Sequence, residues 1–501
     1  MEMHFEQKEI RFLKPLLRQV QTGEQTQELR LTEDLPDVGR IIGSWGQVIL
    51  RTKEWRGDSI SCGGGIQCRV LYEPEDGSQV RVLESWMPFQ LRWNLDDGLR
   101  EGSIRLQCLL RGMDARSVSA RKIMVRCGYA VMAQALREDT VQLPVPGEVP
   151  EDVQLLVNRY PLRLGKQVGE KSFTIGEELP VLSPEPERIV AYTMEPQIGD
   201  AKIHGDKLSF RGTAVLHLTY LTREGKLHSR DLEFPFSQFA ALDDTYGPEA
   251  LADVVLAVTG LELEGEPAAQ MGLKGSLVAQ YRIDDRQMLD LVEDAYSTAR
   301  ELEPIRDTVL LPAVLEQKQF PVNVSQTLRL NPREMADVVY WPDFPEMHKS
   351  REVNLTLPGV FQAIWYDENG KLQSTQARTE ETWDSPCGDA CVFEATVLPG
   401  SVPRANIGNG IQLSVDAQVS IRCCRDGGIG VVKGLELGAP LSDKGRPSLV
   451  LCRGNGRKLW DLARDNLATM AAIKEVNSLE GEPEENRMLL IPVAPGTVAD
   501  S

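Results

Sequence analysis

The sequence is poor in histidine, with five in 501 residues: His4, His204, His217, His228 and His348. Histidine is the side chain best suited to acid–base catalysis and to metal binding near neutral pH. The patterns of a zinc protease, a phosphate-binding loop and a serine-hydrolase nucleophile elbow do not occur either. The sequence therefore predicts a protein that is not an enzyme and that uses no cofactor or metal.

Long apolar runs are also lacking. No window approaches the ~20 uncharged apolar residues that span a bilayer. Residues 1–13 mix charged and apolar side chains and have no apolar core of a secretion signal. We therefore expect a cytoplasmic protein without a transmembrane segment.

Positive charge is scarce relative to negative charge. The formal net charge is −19 at pH 7, whereas binding to nucleic acid or to an anionic membrane requires clustered lysine and arginine. Nucleic acid is therefore not an expected partner. The 42% of apolar and 26% of charged residues are typical of folded soluble proteins, and a length of 501 residues favours three or four domains at ~150 residues each.

The nine cysteines are odd in number and unevenly placed. This arrangement predicts free thiols in a reducing compartment. One alternative is that Cys387, Cys391, Cys423 and Cys424 gather around zinc in a metal-dependent enzyme. The spacing is unusual for zinc, and adjacent cysteines on a strand point to opposite faces.

A self-similar pattern recurs along the chain at domain-sized intervals. Its anchors are the aromatic residues Tyr72, Tyr220 and Trp365, which lie 148 and 145 residues apart. Each anchor lies at or near the end of an apolar stretch, and a glycine follows five residues later. Such a stretch leading into a glycine-bearing turn is typical of a β-hairpin. We expect the three aromatic side chains to pack in the module cores.

Each hairpin is followed by further alternating stretches. In the first two repeats a Pro-Phe pair comes first, at Pro88–Phe89 and Pro235–Phe236, whereas the third repeat lacks it. We predict a mainly β protein with three tandem antiparallel β modules, each a sandwich or a half-open barrel. A small α+β module follows them.

Changes of pattern set the predicted boundaries. The helical spacing of Leu289, Val292, Tyr296 and Ala299 predicts a short helix that joins the second and third modules. Proline-bearing segments indicate linkers. The predicted organisation is a leader at 1–27, β modules at 28–145, 171–303 and 304–445, a linker at 146–170, a C-terminal module at 446–494 and a tail at 495–501.

The C-terminal module shows the order β, helix, helix, β. Leu459 and Leu462 lie on one apolar helical face, and Thr469 is placed to cap a second helix that carries Ile473. With Asn477 and the apolar segment 488–492, this pattern resembles a LysM domain. The resemblance implies binding to chains of N-acetylglucosamine.

The module departs from the LysM pattern where Arg457 and Lys458 replace an Asp-Thr pair. This change in the first turn counts against glycan binding. Five glutamates between 475 and 485 fit a basic protein surface better than a neutral sugar, although a merely solvated acidic face is an equal alternative. We predict that Trp460, Lys474 and Asn477 contact a partner. Trp460 either does so as an aromatic anchor or closes the small core.

The segment 35–42, the repeated hairpins and the run Asp-Ala-Tyr-Ser-Thr at 294–298 resemble SPOCS domains, the repeated modules of SipL-type sporulation proteins. Several SPOCS domains followed by one LysM domain is the SipL arrangement. The resemblance implies a scaffold in the mother cell that docks on a SpoIVA-type coat ATPase and encases the forespore. Self-association through sheet edges is a further expectation. A peptidoglycan-binding protein is the alternative.

Overall fold

The computed structural model describes residues 2–95, 101–267, 270–349, 353–384, 391–398, 400–425, 427–442 and 447–493. Within these ranges the protein is mainly β, with 24 strands and two short helices near the C-terminus. The predicted fold class is confirmed. Neither helix of the described ranges has the length and apolarity needed to cross a membrane.

The first unit, residues 2–144, contains two three-stranded antiparallel sheets. In one sheet the last strand of the unit lies between the first long strand and the penultimate strand, and in the other sheet three consecutive strands pair in order. Apolar side chains from both sheets, such as Ile66 and Val125, form one core. The strands are β1 (Glu2–His4), β2 (Gln7–Arg30), β3 (Val38–Arg56), β4 (Ser59–Pro74), β5 (Arg81–Asn94), β6 (Ser103–Ser119) and β7 (Lys122–Pro144).

The second unit, residues 153–297, repeats this pairing order with β8 (Val153–Glu178), β9 (Pro186–Thr222), β10 (Leu227–Tyr246), β11 (Leu251–Gly265) and β12 (Met271–Ser297). β12 lies between β8 and β11, and β9 pairs with β10. β9 turns back on itself at Gly205, whose φ is 64°. The two arms are joined where the Ser209 hydroxyl donates to the Lys202 carbonyl at 3.3 Å. β9 thus takes the place of β3 and β4.

The third unit, residues 300–440, shows the same order. β21 lies between β14 and β19, and β17 lies between β15 and β18. A break divides the first and last long strands of this unit, so that β13 pairs with β22 beyond them. The strands are β13 (Arg300–Val309), β14 (Val314–Leu328), β15 (Glu334–Pro342), β16 (Glu346–Lys349), β17 (Val353–Tyr366), β18 (Leu372–Asp384), β19 (Cys391–Leu398), β20 (Arg404–Gly408), β21 (Gly410–Arg425) and β22 (Ile429–Pro440).

All three predicted hairpins are present. They are formed by β4 and β5, by β9 and β10, and by β17 and β18. The turn glycines Gly77, Gly225 and Gly370 have φ values of 70°, 76° and 75°, a region that residues with a side chain rarely adopt. The anchors Tyr72, Tyr220 and Trp365 are buried, as predicted.

The phenylalanine of each Pro-Phe pair lies opposite a glycine of the neighbouring hairpin strand. Phe89 lies opposite Gly64 and Phe236 lies opposite Gly212 in the strand register. A Cβ atom added at Gly212 would lie 1.9 Å from the Gln197 carbonyl oxygen and 2.7 Å from the Phe236 ring. The repeated glycine therefore leaves room both for the neighbouring backbone and for the aromatic ring.

The three units pack against one another and share apolar clusters. At one end, extensions of the first and last strands of each unit meet in one apolar cluster that includes Phe12, Leu291 and Val431. At another position Trp45, Leu221 and Ile364 join the units in a second cluster. Burial of apolar surface between units stabilises their arrangement.

A buried network of charges also joins the units. Arg422 contacts Asp284 at 2.6 Å, Glu394 at 3.2 Å and Asp253 at 3.8 Å. Asp253 also accepts the guanidinium of Arg105 at 2.9 Å. Burial alone would raise the pKa of Asp253, but Arg105 and Arg422 outweigh it and lower this pKa to about 2. Ionised partners thus compensate the desolvation of each charge.

The predicted joining helix is wrong, because residues 284–297 belong to β12 and pair with β8. The register shifts between Val292 and Asp294. Leu289, Leu291 and Val292 before the shift and Tyr296 after it are buried. A β-bulge interrupts the alternation of a strand, and the resulting spacing imitates a helix. β2 and β8 occupy most of the predicted leader and linker, and the predicted domain boundaries stay a prediction.

The expectation that every thiol is free is wrong for Cys423, which is disulfide-bonded. A sulfur in a disulfide is not a thiolate ligand, so Cys423 leaves the four-cysteine zinc hypothesis. Cys387 and the side chain of Cys391 lie outside the described residues. The described free cysteines are Cys62, Cys68, Cys108, Cys127, Cys424 and Cys452.

Candidate functional site: the C-terminal module and its seat

The C-terminal module, residues 447–493, has the predicted order of elements. They are β23 (Leu449–Arg453), α1 (Leu459–Asp465), α2 (Met470–Asn477) and β24 (Met488–Pro492), and β23 pairs with β24 antiparallel. Leu462, Ile473, Leu489 and Ile491 are buried in its core. The predicted helical faces and the final apolar strand thus build one small α+β unit.

The start of α1 explains how the module tolerates its departure from the LysM pattern. Lys458 occupies the N-cap position and offers no side-chain hydrogen bond. The carboxylate of Glu482 instead accepts the Leu459 backbone N–H at 2.7 Å. Satisfying a free N–H with a carboxylate at a helix N-terminus stabilises the helix. A glutamate distant in sequence therefore replaces the local cap.

Two predicted residues stabilise the module. The Thr469 hydroxyl accepts the Ala472 backbone N–H at 3.1 Å and caps α2, as predicted. Asn477 ties the end of α2 to β24, because its side chain donates to the Leu490 carbonyl at 2.6 Å and accepts the Leu490 N–H at 2.8 Å. Lys474 lies half-buried in the last turn of α2. Contact of Asn477 and Lys474 with a partner stays a prediction.

Trp460 faces the second unit of the same chain. It is 4% exposed, and its indole N–H donates to Oδ2 of Asp294 in β12 at 2.8 Å. Its ring packs edge-to-face on Tyr296, with 4.8 Å between centroids. The side chain is thus an aromatic anchor within the chain. Contact with an outside partner stays a prediction and would require the module to leave Asp294.

The surface of β12 on which the C-terminal module packs, formed around Asp294 and Tyr296, is called the seat. Asp294 lies at its centre. Besides Trp460, it accepts Arg464 of α1 at 2.7 Å and Arg306 of β13 at 2.6 Å. Burial alone would raise the pKa of Asp294, but hydrogen bonds from Trp460, Arg306 and Arg464 outweigh it and lower this pKa. The carboxylate therefore stays charged at neutral pH and holds three donors from two other parts of the chain.

The remaining contacts of the seat come from the same short run. The Tyr296 hydroxyl donates to the Ala468 carbonyl at 2.7 Å, and Leu156 of β8 packs beside it. Ser297 donates to Asp152 at 2.6 Å and fixes the end of β12. The run at 294–298 was visible in the sequence as a motif, but nothing in one sequence linked it to Trp460. Pairing of distant residues needs the fold.

The outer face of the C-terminal module is apolar. Leu449 and Leu451 of β23 and Met488 and Leu490 of β24 are between 38% and 61% exposed. Their strand neighbours point inward and are largely buried, as the period of two in a strand requires. Exposed glutamates at 475, 480, 482, 484 and 485 lie in the same module. A group of exposed apolar side chains of this kind is typical of a protein-binding surface.

A second polar centre lies where the three units meet. Asp337 of the third unit is buried and accepts Trp45 of the first unit at 2.7 Å and His217 of the second at 2.8 Å. Asp231 contacts the other ring nitrogen of His217 at 2.7 Å. Burial alone would lower the pKa of His217, but Asp337 and Asp231 outweigh it and raise this pKa to about 10. His217 is therefore an imidazolium held between two carboxylates.

One comparison with known proteins gives a match. Residues 185–263 match the family model described as SipL, SPOCS domain. No curated protein and no solved structure matches the chain. The matched segment runs from β9 into β11 and includes the second hairpin. This segment of the second unit is similar to the SPOCS domain of SipL.

Proposed function

We propose that the chain is a non-enzymatic scaffold of spore-coat assembly. Its C-terminal module docks on a coat morphogenetic ATPase of the SpoIVA type, in the mother-cell cytoplasm at the forespore surface. The observation that carries this proposal is the SPOCS match at 185–263. The matched segment belongs to the unit whose last strand seats the C-terminal module. The LysM character rests on sequence resemblance and is supported by the βααβ order.

The apolar face of β23 and β24 is the proposed contact surface for the ATPase. Leu449, Leu451, Met488 and Leu490 are already exposed while the module sits on Asp294. Docking therefore requires no release of the module. Burial of one such side chain contributes about 1.5–3 kcal/mol, and a few of them at the centre of an interface dominate binding.

The charge of the module defines the surface that it fits. The acidic stretch between 475 and 485 favours a partner with lysine or arginine around an apolar centre. Such a rim guides association and orientation more than it adds affinity. Lys474 lies in the same helix as Glu475 and is the cation through which a carboxylate of the partner would be contacted.

The test is the affinity of the full chain for the purified ATPase, measured by biolayer interferometry. The double variant Leu451→Ser with Leu490→Ser is expected to weaken binding at least tenfold. Val118→Ser is the matched control, because Val118 is 56% exposed on β6 of the first unit. Equal binding by the double variant, or no binding by the parent chain, would overturn the proposal.

Two further measurements distinguish ATPase docking from a partner contact of Trp460 and from glycan binding. Trp460→Phe is expected to leave the affinity for the ATPase within about twofold; a larger loss, with the fold intact, would make Trp460 a partner contact. N-acetylglucosamine oligomers are expected not to bind. Binding of the oligomers without binding of the ATPase would favour the peptidoglycan-binding alternative. Self-association stays a prediction, and sedimentation at high concentration tests it.

A further inference from the structure

A cavity of about 530 Å³ lies where the three units meet. Strands of all three units contribute to its wall, with Gln107 from the first, Glu195 and His217 from the second and Tyr340 from the third. Small-molecule sites in proteins have volumes of about 300–1,000 Å³. The cavity therefore has the volume of a small-molecule binding site. It lies outside the C-terminal module, to which the docking function is assigned.

Two polar side chains of the wall carry hydrogen-bond acceptors. Gln107 is 5% exposed; its side-chain N–H donates to the Val397 carbonyl, but its Oε1 atom has no partner among the described residues. A buried acceptor without a donor costs about 1–3 kcal/mol. The carboxylate of Glu195 also lines the cavity. A carboxylate that lines a cavity is a suitable acceptor for an N–H donor of a ligand.

The charged residues that line the cavity favour a cationic ligand over a neutral one. Among the described lining residues there is no lysine or arginine. The imidazolium of His217 is already held by Asp231 and Asp337, so it does not neutralise Glu195 as well. Burial raises the pKa of Glu195 to about 7, with His217 opposing and Asp231 adding to the rise. A cation in the cavity would restore the charge balance when Glu195 is ionised.

We propose that this cavity binds a small aliphatic amine in its ammonium form, with the N–H groups of the amine paired to the carboxylate of Glu195. Val215, Val254 and Val338 in the wall face the hydrocarbon part. The proposal is independent of the docking of the C-terminal module, since none of these residues belongs to that module.

The test is calorimetric titration of the full chain with butane-1,4-diamine at pH 8, with butane-1,4-diol as the neutral probe of similar length. The amine is expected to bind and the diol is not. Glu195→Gln keeps the shape and is expected to weaken binding at least tenfold. Glu224→Gln is the matched control, because Glu224 is exposed in the turn between β9 and β10.

The pH dependence provides a second readout. His217 and Asp231 are the charged groups that influence Glu195, and His217 stays protonated below about pH 10. Lowering the pH from 8 to 6 neutralises Glu195 and is expected to weaken binding about tenfold. Equal binding of the diol, no binding of the amine, or unchanged binding by a folded Glu195→Gln variant would overturn the proposal.

Discussion

The indole N–H of Trp460 and the carboxylate of Asp294 form a buried hydrogen bond across 166 residues of sequence, at 2.8 Å. Arg464 reaches the same carboxylate oxygen from the next turn of α1. The bond fixes the C-terminal module on β12 with its apolar strand face outward. Asp294 thus contributes to the presentation of that face, together with the contacts of Tyr296.

Asp294→Asn is expected to loosen the module by about 1–3 kcal/mol, because two arginines and the indole lose a charged acceptor. Hydrogen exchange should become faster in α1 and in the end of β12 and stay unchanged in the first unit. Asp290→Asn in the same strand is the control, because it breaks only an exposed pair with Arg159, and exposed pairs contribute little to stability. Equal exchange in both variants would contradict the role of Asp294.

Acid should loosen the same contact. The pKa of Asp294 is lowered in the folded chain, so its contribution to stability is present above the ordinary carboxyl pKa of about 3.8 and is lost as the pH falls below it. Trp460 fluorescence against pH reports the loss. In Asp294→Asn this transition should be absent.

Asp337→Asn is expected to lower the free energy of unfolding by about 3–5 kcal/mol, because the buried imidazolium of His217 loses one of its two carboxylates. The raised pKa of His217, about 10, contributes stability that is complete below about pH 6.5. This contribution is lost as the pH rises toward 10. Urea unfolding between pH 7 and 9 should show a shallower decline in the variant than in the parent chain. Parallel declines would contradict the assignment.

Gly212→Ala is expected to destabilise the second unit by about 1–3 kcal/mol. The added methyl group would meet the Gln197 carbonyl oxygen at 1.9 Å, and backbone must move to admit it. Gly176→Ala in β8 is the control, since no atom lies within 4 Å of the added Cβ. Thermal unfolding midpoints of the two variants provide the comparison, and equal midpoints would show that the close approach does not matter.

Arg422→Met is expected to destabilise the chain by about 3–5 kcal/mol, because Asp284, Glu394 and Asp253 keep their charges in a buried site without the arginine. Arg211→Met removes an exposed pair with Asp200 and should leave the free energy of unfolding nearly unchanged. Urea unfolding measures both. Arg282 also contacts Asp284, at 2.9 Å. A small effect of Arg422→Met would mean that Arg105 and Arg282 suffice to balance the network.

Local features were readable from the sequence by itself. Glycine at the turns, the aromatic anchors at 72, 220 and 365 and the Thr469 cap depend on residues within a few positions of one another. Backbone conformation and strand or helix period decide such features. The mainly β class and the βααβ order of the C-terminal module followed from them.

Tertiary structure alone decided the rest. The bulge after Val292 gives a strand the spacing of a helix, and only pairing with β8 distinguishes the two. The packing of the three units around one cavity and the Asp294–Trp460 bond join residues far apart in sequence. A single sequence shows which side chains are available for such contacts. Which of these contacts form depends on the free energy gained when the folded chain buries apolar surface.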